Sequence, residues 1–527
     1  NKREGFASNF GILVAMAGSA VGLGNLWRFP YLVGNNGGAA FIVIYLAIVF
    51  IMALPIMYAE FIIGRRAQSN VYGAFRKLAP GTHWNVFGIL AIACCILVLA
   101  FYCVVGGWTI DYLWRAVTFQ LITQDSAQFS GLFGQVVTSS WQPLFFMLLF
   151  VALSGGVLLF GVQRGIEHFS KILMPLLFLM VLIIAGRSLT LPGAESGIDF
   201  LFRPDFSKVT ATTVLEAMGQ AFFSLSIGFG IIFTYASYVP KKVNIVKMSS
   251  YTAISDTLFA VIAGMAIMPA VFAFGLPPGQ GPGLVFVTLP FVFSKIMFGS
   301  VLAILFFFVL FIAAITSSIS LLEVVVAYLA EEFRIRRRTS IAISVAVVVV
   351  LGTFCSLSQS TLSDFQIGGY NLFDFCDKLT ANILMPTGAL IVVLYVGWWM
   401  KRTDFLDEIT SSGRHRIAPV YLKIIQLSIK YLAPVVISII MIRGILQECS
   451  DPRTGTEVLH PPFHRPVPVF LTAPSAALHP ATTKDFGKER CRWIRSKKNS
   501  PYLGFTESTD RKIKSTESFS ESTDRKF

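Results

Sequence analysis

Apolar runs of about twenty residues recur along this chain, and its charges fall almost entirely in the short spacers between them. A helical run of that length spans about 30 Å, the thickness of a bilayer's hydrocarbon core. Backbone groups in lipid must be satisfied within the segment itself, so repeated runs of this kind read as an all-α polytopic membrane protein. Composition agrees, with 54% of the residues hydrophobic and only 14% charged, against roughly 25% charged in soluble domains. Collagen, coiled coil, a disulfide-rich secreted module and a disordered chain are all excluded as descriptions of the whole.

We count eleven spans, near 9–35, 39–64, 86–114, 141–160, 165–185, 214–239, 250–275, 300–329, 340–357, 379–399 and 421–446. The net charge of +14 is a topology signal and not a nucleic-acid one. With the N-terminus inside, the cytoplasmic segments collect Lys2, Arg3, Arg65, Arg66, Arg76, Lys77, Arg164, Lys241, Lys242, Lys247, Arg334, Arg336, Arg337, Arg338, Lys401, Arg402, Arg414 and Arg416. The opposite side holds only Arg115, Arg187, Arg203, Lys208, Lys295 and Lys378. The bias predicts a cytoplasmic N-terminus and, with an odd span count, an extracytoplasmic C-terminus in a plasma (inner) membrane. Asn9, Ser19 and Asn25 in the first span do not suit a cleavable signal peptide. Seven cysteines without a C-x-x-C pair give no metal or disulfide framework; Cys355 and Cys376, both near the outer face, could pair, but free thiols are the expectation.

Composition shifts after 446. The segment 447–527 is rich in proline, then in basic and Ser/Thr residues, and repeats ESTDRK at 507–512 and 521–526. It is expected to be a disordered tail beside a transporter domain at 1–446.

Two spans carry glycine interruptions at mid-membrane. The first contains Gly18-Ser19-Ala20-Val21-Gly22-Leu23-Gly24-Asn25, and the sixth contains Ser224-Leu225-Ser226-Ile227-Gly228-Phe229-Gly230. Five spans per half inverts the second half, so 9–185 and 214–399 read as a 5+5 inverted repeat with interrupted helices 1 and 6. The helix at 421–446 is then the one extra. Paired broken helices free carbonyls for cations and amides for an anionic group. Close helix packing through small residues is the plainer explanation of the glycines. It leaves the neighbouring Ser19, Asn25, Ser224 and Ser226 without a purpose.

These blocks, with Trp27-Arg28-Phe29-Pro30, Asn36-Gly37-Gly38, the run from Gly281-Pro282 to Leu289-Pro290, and Thr316-Ser317-Ser318, resemble the neurotransmitter:sodium symporter family. The resemblance covers roughly 2–446, and eleven spans match many bacterial sodium-coupled amino acid transporters of that family. It implies two sodium ions and no organic cofactor. The first sodium is expected at the Ala20 carbonyl, Asn25, Ser224 and Asp256. The second is expected at the carbonyls of Gly18, Val21 and Ala313 with the hydroxyls of Thr316 and Ser317. Read alone, a Thr-Ser pair is ordinary hydroxyl-to-backbone bonding within a helix.

The resemblance implies a substrate pocket of Ala20, Leu23, Gly24, Val98, Tyr102, Phe223, Ser224, Ser226, Phe229, Ser317 and Leu321. Tyr102 would bond the substrate carboxylate, and Phe229 and Leu321 would enclose its side chain. Monoamine-transporting relatives carry Asp where this chain has Gly22, so the substrate's own carboxylate would complete the first sodium shell. That points to an apolar α-amino acid. Arg28 and Asp377 are expected as the outer gate, with Asp377 beginning the tenth span. Arg3, Phe6, Tyr238 and Glu331 are expected as the inner gate. Gly165 and Pro175 match a Gly-x9-Pro pattern that lets the cytoplasmic end of the fifth span unwind; a static proline kink is the alternative. Asp256 is the only acidic residue of its span, and Ala260 stands where some chloride-independent relatives place Glu. Asp256 would therefore be both ligand and counter-charge.

No Walker A, H-E-x-x-H or G-x-S-x-G motif is present, and an enzyme is not expected. The expectation is a symporter importing amino acid with sodium by alternating access, without chloride. A non-transporting sensor and a ligand-gated channel are the rivals, and the lipid bilayer, sodium and the amino acid are the expected partners.

Overall fold

Proline has no backbone N–H, and its ring crowds the carbonyl one turn back, and a helix that continues through it can relieve this by widening locally. This chain does so five times. Pro30, Pro55, Pro290, Pro386 and Pro434 each follow a π turn, at Gly24–Arg28, Val49–Ala53, Leu284–Thr288, Thr380–Leu384 and Ser428–Leu432. Two π turns are different, Val162–Glu167 and Tyr395–Trp399: no proline follows either directly, and the first is entered through Gly161 at φ 81°. The computed structural model describes residues 5–121, 126–278 and 283–450, and these are helical apart from turns and a two-stranded hairpin, Gln366–Ile367 with Tyr370–Asn371. The expected tail, Arg3, and Gly281 and Pro282 of the quoted motif lie outside the described residues, except that the last helix runs on to Ser450.

Each expected span coincides with a helix or a helix pair. Eight described helices are long and apolar enough to cross a membrane, or ten when two bent pairs each count as one. The sixth span meets no such length test because it is divided into Ala211–Ser224 and Ile231–Ala236. The first span is one of the bent pairs, Asn9–Ala20 with Gly24–Asn35 at 51°. The other bent pair joins Gln128–Thr138 to Gln142–Leu158 at 72°, so the fourth span is preceded by a helix lying across it. The tenth span begins at Leu372, earlier than expected, which places Asp377 inside its helix and not at its start.

Burial sorts the spans into inner and outer. The third and seventh are 72% buried over their most apolar window, and the eleventh only 28%. Its exposed Val435, Ile439 and Ile442 form the apolar surface that lipid covers. The broken sixth span is held by glycine contacts that tolerate no side chain. A Cβ on Gly228 would lie 2.3 Å from the Met385 carbonyl oxygen, one on Gly388 2.4 Å from the Gly228 oxygen, and one on Gly64 2.1 Å from the Phe233 oxygen. Spans two and ten thus clasp the break of span six by backbone approach.

Candidate functional site

At the first break, Val21 ends the helix Asn9–Ala20 with ψ 97°, and Asn25 repairs the exposed backbone, its Oδ1 accepting the Gly22 N–H at 3.1 Å. The second break turns through Ser226, Gly228 and Gly230 at φ 55°, 87° and 76°. At Gly228 this left-handed conformation and the close approach to Met385 together require glycine. The two breaks are tied together. Ser226 Oγ donates to the Ser19 carbonyl at 2.8 Å, and Gln220 Nε2 donates to the Gly24 carbonyl at 3.0 Å.

The expected first sodium ligands converge. Asn25 Nδ2 donates to Asp256 Oδ1 at 2.8 Å and to Ser224 Oγ at 3.1 Å, and Ser224 Oγ lies 2.9 and 2.8 Å from the two Asp256 oxygens. Tyr45 adds a weak bond to Asp256 Oδ2 at 3.4 Å. Asp256 is fully buried, and no ion pair reaches it among the described residues. An isolated carboxylate in hydrocarbon is costly, and three neutral donors do not neutralise it. A hard cation fits the oxygens of Asp256 and Ser224, whereas Asn25 presents its amide nitrogen to them; Ser224 and Ala20 line one cavity.

At the expected second site, Thr316 Oγ1 bonds the carbonyls of Ile312 and Ala313 at 3.0 and 3.1 Å. This is the ordinary intrahelical arrangement, and it brings two of the five expected ligands together. Gly18 packs on Met174 of the fifth span, and a Cβ on Gly22 would lie 2.5 Å from Ser317 Oγ.

All eleven residues expected around the substrate line one cavity, with Ser19, Gly22 and Ile231 in addition. Its volume is about 30 Å³, room for about one water, so the pocket is contracted. The Tyr102 hydroxyl is buried in it beside Ser317 and the Leu23 backbone but completes no well-formed hydrogen bond with either, which is costly unless a ligand supplies one. Phe223 and Phe229 meet edge to face at 6.4 Å, and the Arg28 guanidinium lies 5.1 Å from the Phe223 ring centre. Above them a second cavity of about 380 Å³ is lined by Arg28, Asp377, Glu216, Lys378 and Arg443 among others. Arg28 and Asp377, the pair expected as the outer gate, share its wall but form no direct ion pair, and Arg28 lies instead over the Phe223 ring.

On the side expected to be cytoplasmic, Phe6 packs edge to face on Tyr235 and Tyr238, and its N–H donates to the Tyr238 carbonyl at 3.3 Å. The Tyr238 hydroxyl donates to Glu323 at 2.7 Å, and Arg337 grips the same carboxylate through both its terminal nitrogens. Glu331 accepts from the Asn70 backbone and side chain at 2.8 and 3.0 Å. In the fifth span Gly165 lies under the Val157 carbonyl, and Pro175 sits within the helix His168–Leu189.

Sequence reasoning missed Glu323, Arg337, Asn70, Tyr45 and Glu60. Glu60 is fully buried, and its Oε1 accepts the Gly228 N–H at 2.7 Å, holding the second break open. Glu60 and Glu323 each interrupt an apolar span with an acid, and that rule alone marks them for attention.

The family model described as "Sodium:neurotransmitter symporter family" matches residues 3–130 and 133–483, which carries the match past 446, where the resemblance read from motifs stopped. An uncharacterized sodium-dependent transporter, YhdH, of Bacillus subtilis (strain 168) is 38% identical over 84% of this chain and 98% of its own length. A sodium-dependent transporter of Haemophilus influenzae is 35% identical over 84% of this chain and 98% of its length. The crystal structure of MhsT in complex with L-phenylalanine superposes with a TM-score of 0.78 at 42% identity, covering 84% of this chain and 100% of that one. The chain therefore belongs to the sodium:neurotransmitter symporter family, a family of sodium-dependent membrane transporters.

Proposed function

We propose that this protein imports an apolar α-amino acid together with two sodium ions by alternating access, from a plasma membrane in which its N-terminus is cytoplasmic. The observation that carries the reading is the buried Asp256–Asn25–Ser224 cluster, which adjoins a pocket where Gly22 leaves no protein carboxylate. Sodium at that cluster gains a ligand when a substrate carboxylate enters beside Ala20 and Ser224, so each binding event completes the other's site. Tyr102 supplies the hydroxyl for that carboxylate. Phe223, Phe229, Val98 and Leu321 supply apolar walls, and the phenylalanine held by the solved relative supports a substrate of that kind. Thr316, Ser317 and the carbonyls of Gly18, Val21 and Ala313 hold the second sodium.

Asp256 takes the place of a bound anion. Two sodium ions and a zwitterion bring two positive charges together, and unit charges 4–5 Å apart at an effective dielectric of about 20 interact by about 4 kcal/mol. Arg28, Asp377 and Phe223 close the outer path, and Arg3, Phe6, Tyr238 and Glu331 close the inner one. Residues 1–446 form the transporter in this reading, and 447–527 add nothing to transport. Counterflow of labelled phenylalanine in proteoliposomes tests it, because a carrier exchanges substrate whereas a sensor or a channel does not. Exchange that is indifferent to replacing sodium with potassium overturns the coupling.

A further inference from the structure

Spans 9 and 10 bring two thiols together on the flank of span 3. Cys355 lies in the last turn of the helix Arg337–Leu357, and Cys376 lies in the opening helix of span 10, Leu372–Leu379. They are 1% and 4% exposed, both are free, and their thiols are in mutual hydrogen-bond contact. The chain between them runs out and back through the hairpin Gln366–Ile367 with Tyr370–Asn371, so packing brings them together. A Cβ on Gly352 would lie 3.2 Å from the Ala100 carbonyl oxygen, which sets span 9 close against span 3. Phe373 sets span 10 against the same helix, its ring centre 5.6 Å from that of Phe101 and 5.9 Å from that of Trp108. Ser358 Oγ accepts the Phe373 N–H at 3.2 Å and closes the junction about one turn from each thiol.

A buried cysteine is often no more than a small apolar side chain. These two differ, because each faces the other and because Phe373, Asp374, Asp377 and Lys378, on either side of Cys376, line the cavity of about 380 Å³. That cavity has room for several waters. We propose that Cys355 and Cys376 form a peroxide-reactive dithiol site whose oxidation joins span 9 to span 10 by a disulfide. Hydrogen peroxide is close to water in size, which suits a sulfur standing just behind the cavity wall. Cys376 loses its proton and its sulfur attacks one peroxide oxygen; the O–O bond breaks, the departing hydroxide leaves as water with that proton, and a sulfenic acid remains. The Cys355 sulfur, losing its own proton, attacks the oxidised sulfur; the S–O bond breaks and a second water leaves. The two thiols give up two electrons together, and one peroxide is reduced to two waters. Cys103 of span 3, which stands near Cys355, is the rival partner. The bridge fixes to span 9 the turn of span 10 that carries Asp377. Narrowing the cavity between Asp377 and Arg28 has to move this wall, so the bridge slows a cycle that closes it. That consequence rests on the alternating-access reading proposed above, whereas the thiol chemistry does not.

Peptide mass spectrometry of the full chain in a lipid bilayer tests the site apart from transport. Reduced protein is treated with hydrogen peroxide, quenched, denatured, alkylated and digested. The peptides carrying Cys355 and Cys376 should be found joined, lighter than the reduced pair by the mass of two hydrogens, and a phosphine reductant should separate them. Cys94 and Cys95, fully buried in span 3, should be alkylated as thiols. Cys103→Ser should keep the joined peptides and Cys376→Ser should remove them; should Cys376→Ser fail to fold, Cys376→Ala serves the same purpose. Alkylation of both Cys355 and Cys376 after peroxide, sulfinic acid without joined peptides, or a join from Cys355 to Cys103 overturns the proposal. Counterflow of labelled phenylalanine in proteoliposomes, measured on the same samples, reads the consequence. Peroxide should slow exchange severalfold in the wild type, reductant should restore it, and Cys376→Ser should be indifferent to both. Joined peptides with unaltered exchange would overturn the effect on the cavity alone. Joined peptides in a protein that exchanges no amino acid even when reduced would overturn the transport reading alone.

Discussion

Asp256 is fully buried without a cationic side chain among its described partners, and its chemistry yields a sharp test. It is a buried carboxylate with neutral donors only, from Asn25, Ser224 and Tyr45, and it stands beside sites expected to take two cations. Uptake should persist when gluconate replaces chloride at constant sodium, and Asp256→Asn should abolish transport or make it chloride-dependent. Wild-type uptake that collapses without chloride removes Asp256 as the counter-charge. Gly22 gives a second test. A Cβ there would lie 2.5 Å from Ser317 Oγ, so Gly22→Ala should raise the half-saturating amino acid concentration about tenfold, within the usual cost of overpacking of about 1–3 kcal/mol; an unchanged isotherm would show that the pocket does not close against Ser317. The pocket residues were legible in sequence because broken helices have a glycine signature and the rest of the set came with the family motif. Glu323 and Arg337 were not legible as a pair. Their contact joins the eighth and ninth spans across a sharp turn, and neither residue's spacing reveals which partner the turn brings to it.

At the scale of elements, the breaks are held by other helices as much as by their own glycines. Gly228 shows it, since its φ of 87° and a Met385 oxygen only 2.3 Å from where a Cβ would stand penalise a substitution twice. Gly228→Ala should destabilise the protein by about 3 kcal/mol or more, read as a loss of thermal stability in detergent. Gly186→Ala, in the fifth span with open space at the Cβ position, should be neutral or slightly stabilising; equal losses for both would mean that the clasp on the sixth span carries no special load. Helix positions were legible because hydrophobic runs dominate the chain, and proline marked where they bend. Helix ends were less so. The tenth span begins at Leu372 because Asn371 caps it, its side chain accepting the Asp374 N–H, and this polar start lies outside the apolar run that a hydropathy reading follows. The clasp itself was illegible, since Gly64, Gly228 and Gly388 approach partners far away in sequence.

At the scale of the whole molecule, the ion cluster and the pocket are one structure, not two. Ser224 belongs to both, Asn25 bonds Gly22 on one side and Asp256 on the other, and the two breaks are tied by Ser226 on Ser19. A cavity of about 30 Å³ cannot admit an amino acid until these ties shift, so binding has to move the first and sixth spans relative to each other. A cation at Asp256 would disturb the same ties, because Asn25 would have to present an oxygen in place of the Nδ2 that now faces Asp256, and its Oδ1 is the acceptor for Gly22. Linkage then demands a reciprocal effect: the factor by which sodium tightens amino acid binding equals the factor by which the amino acid tightens sodium binding. For sites sharing a ligand this factor should be large, about 5–150-fold on the usual scale of coupling. Phenylalanine binding to purified protein, titrated at several sodium concentrations with potassium as the balancing ion, measures it from one side. Sodium titrations with and without phenylalanine, read by thermal stability, measure it from the other. Ser224→Ala removes the shared hydroxyl and should shrink the factor more than Val98→Ala, which touches the pocket alone. A factor near one in the wild type, or equal factors in the two variants, would show that sodium and substrate occupy independent sites and that the coupling of the two fluxes arises elsewhere in the cycle.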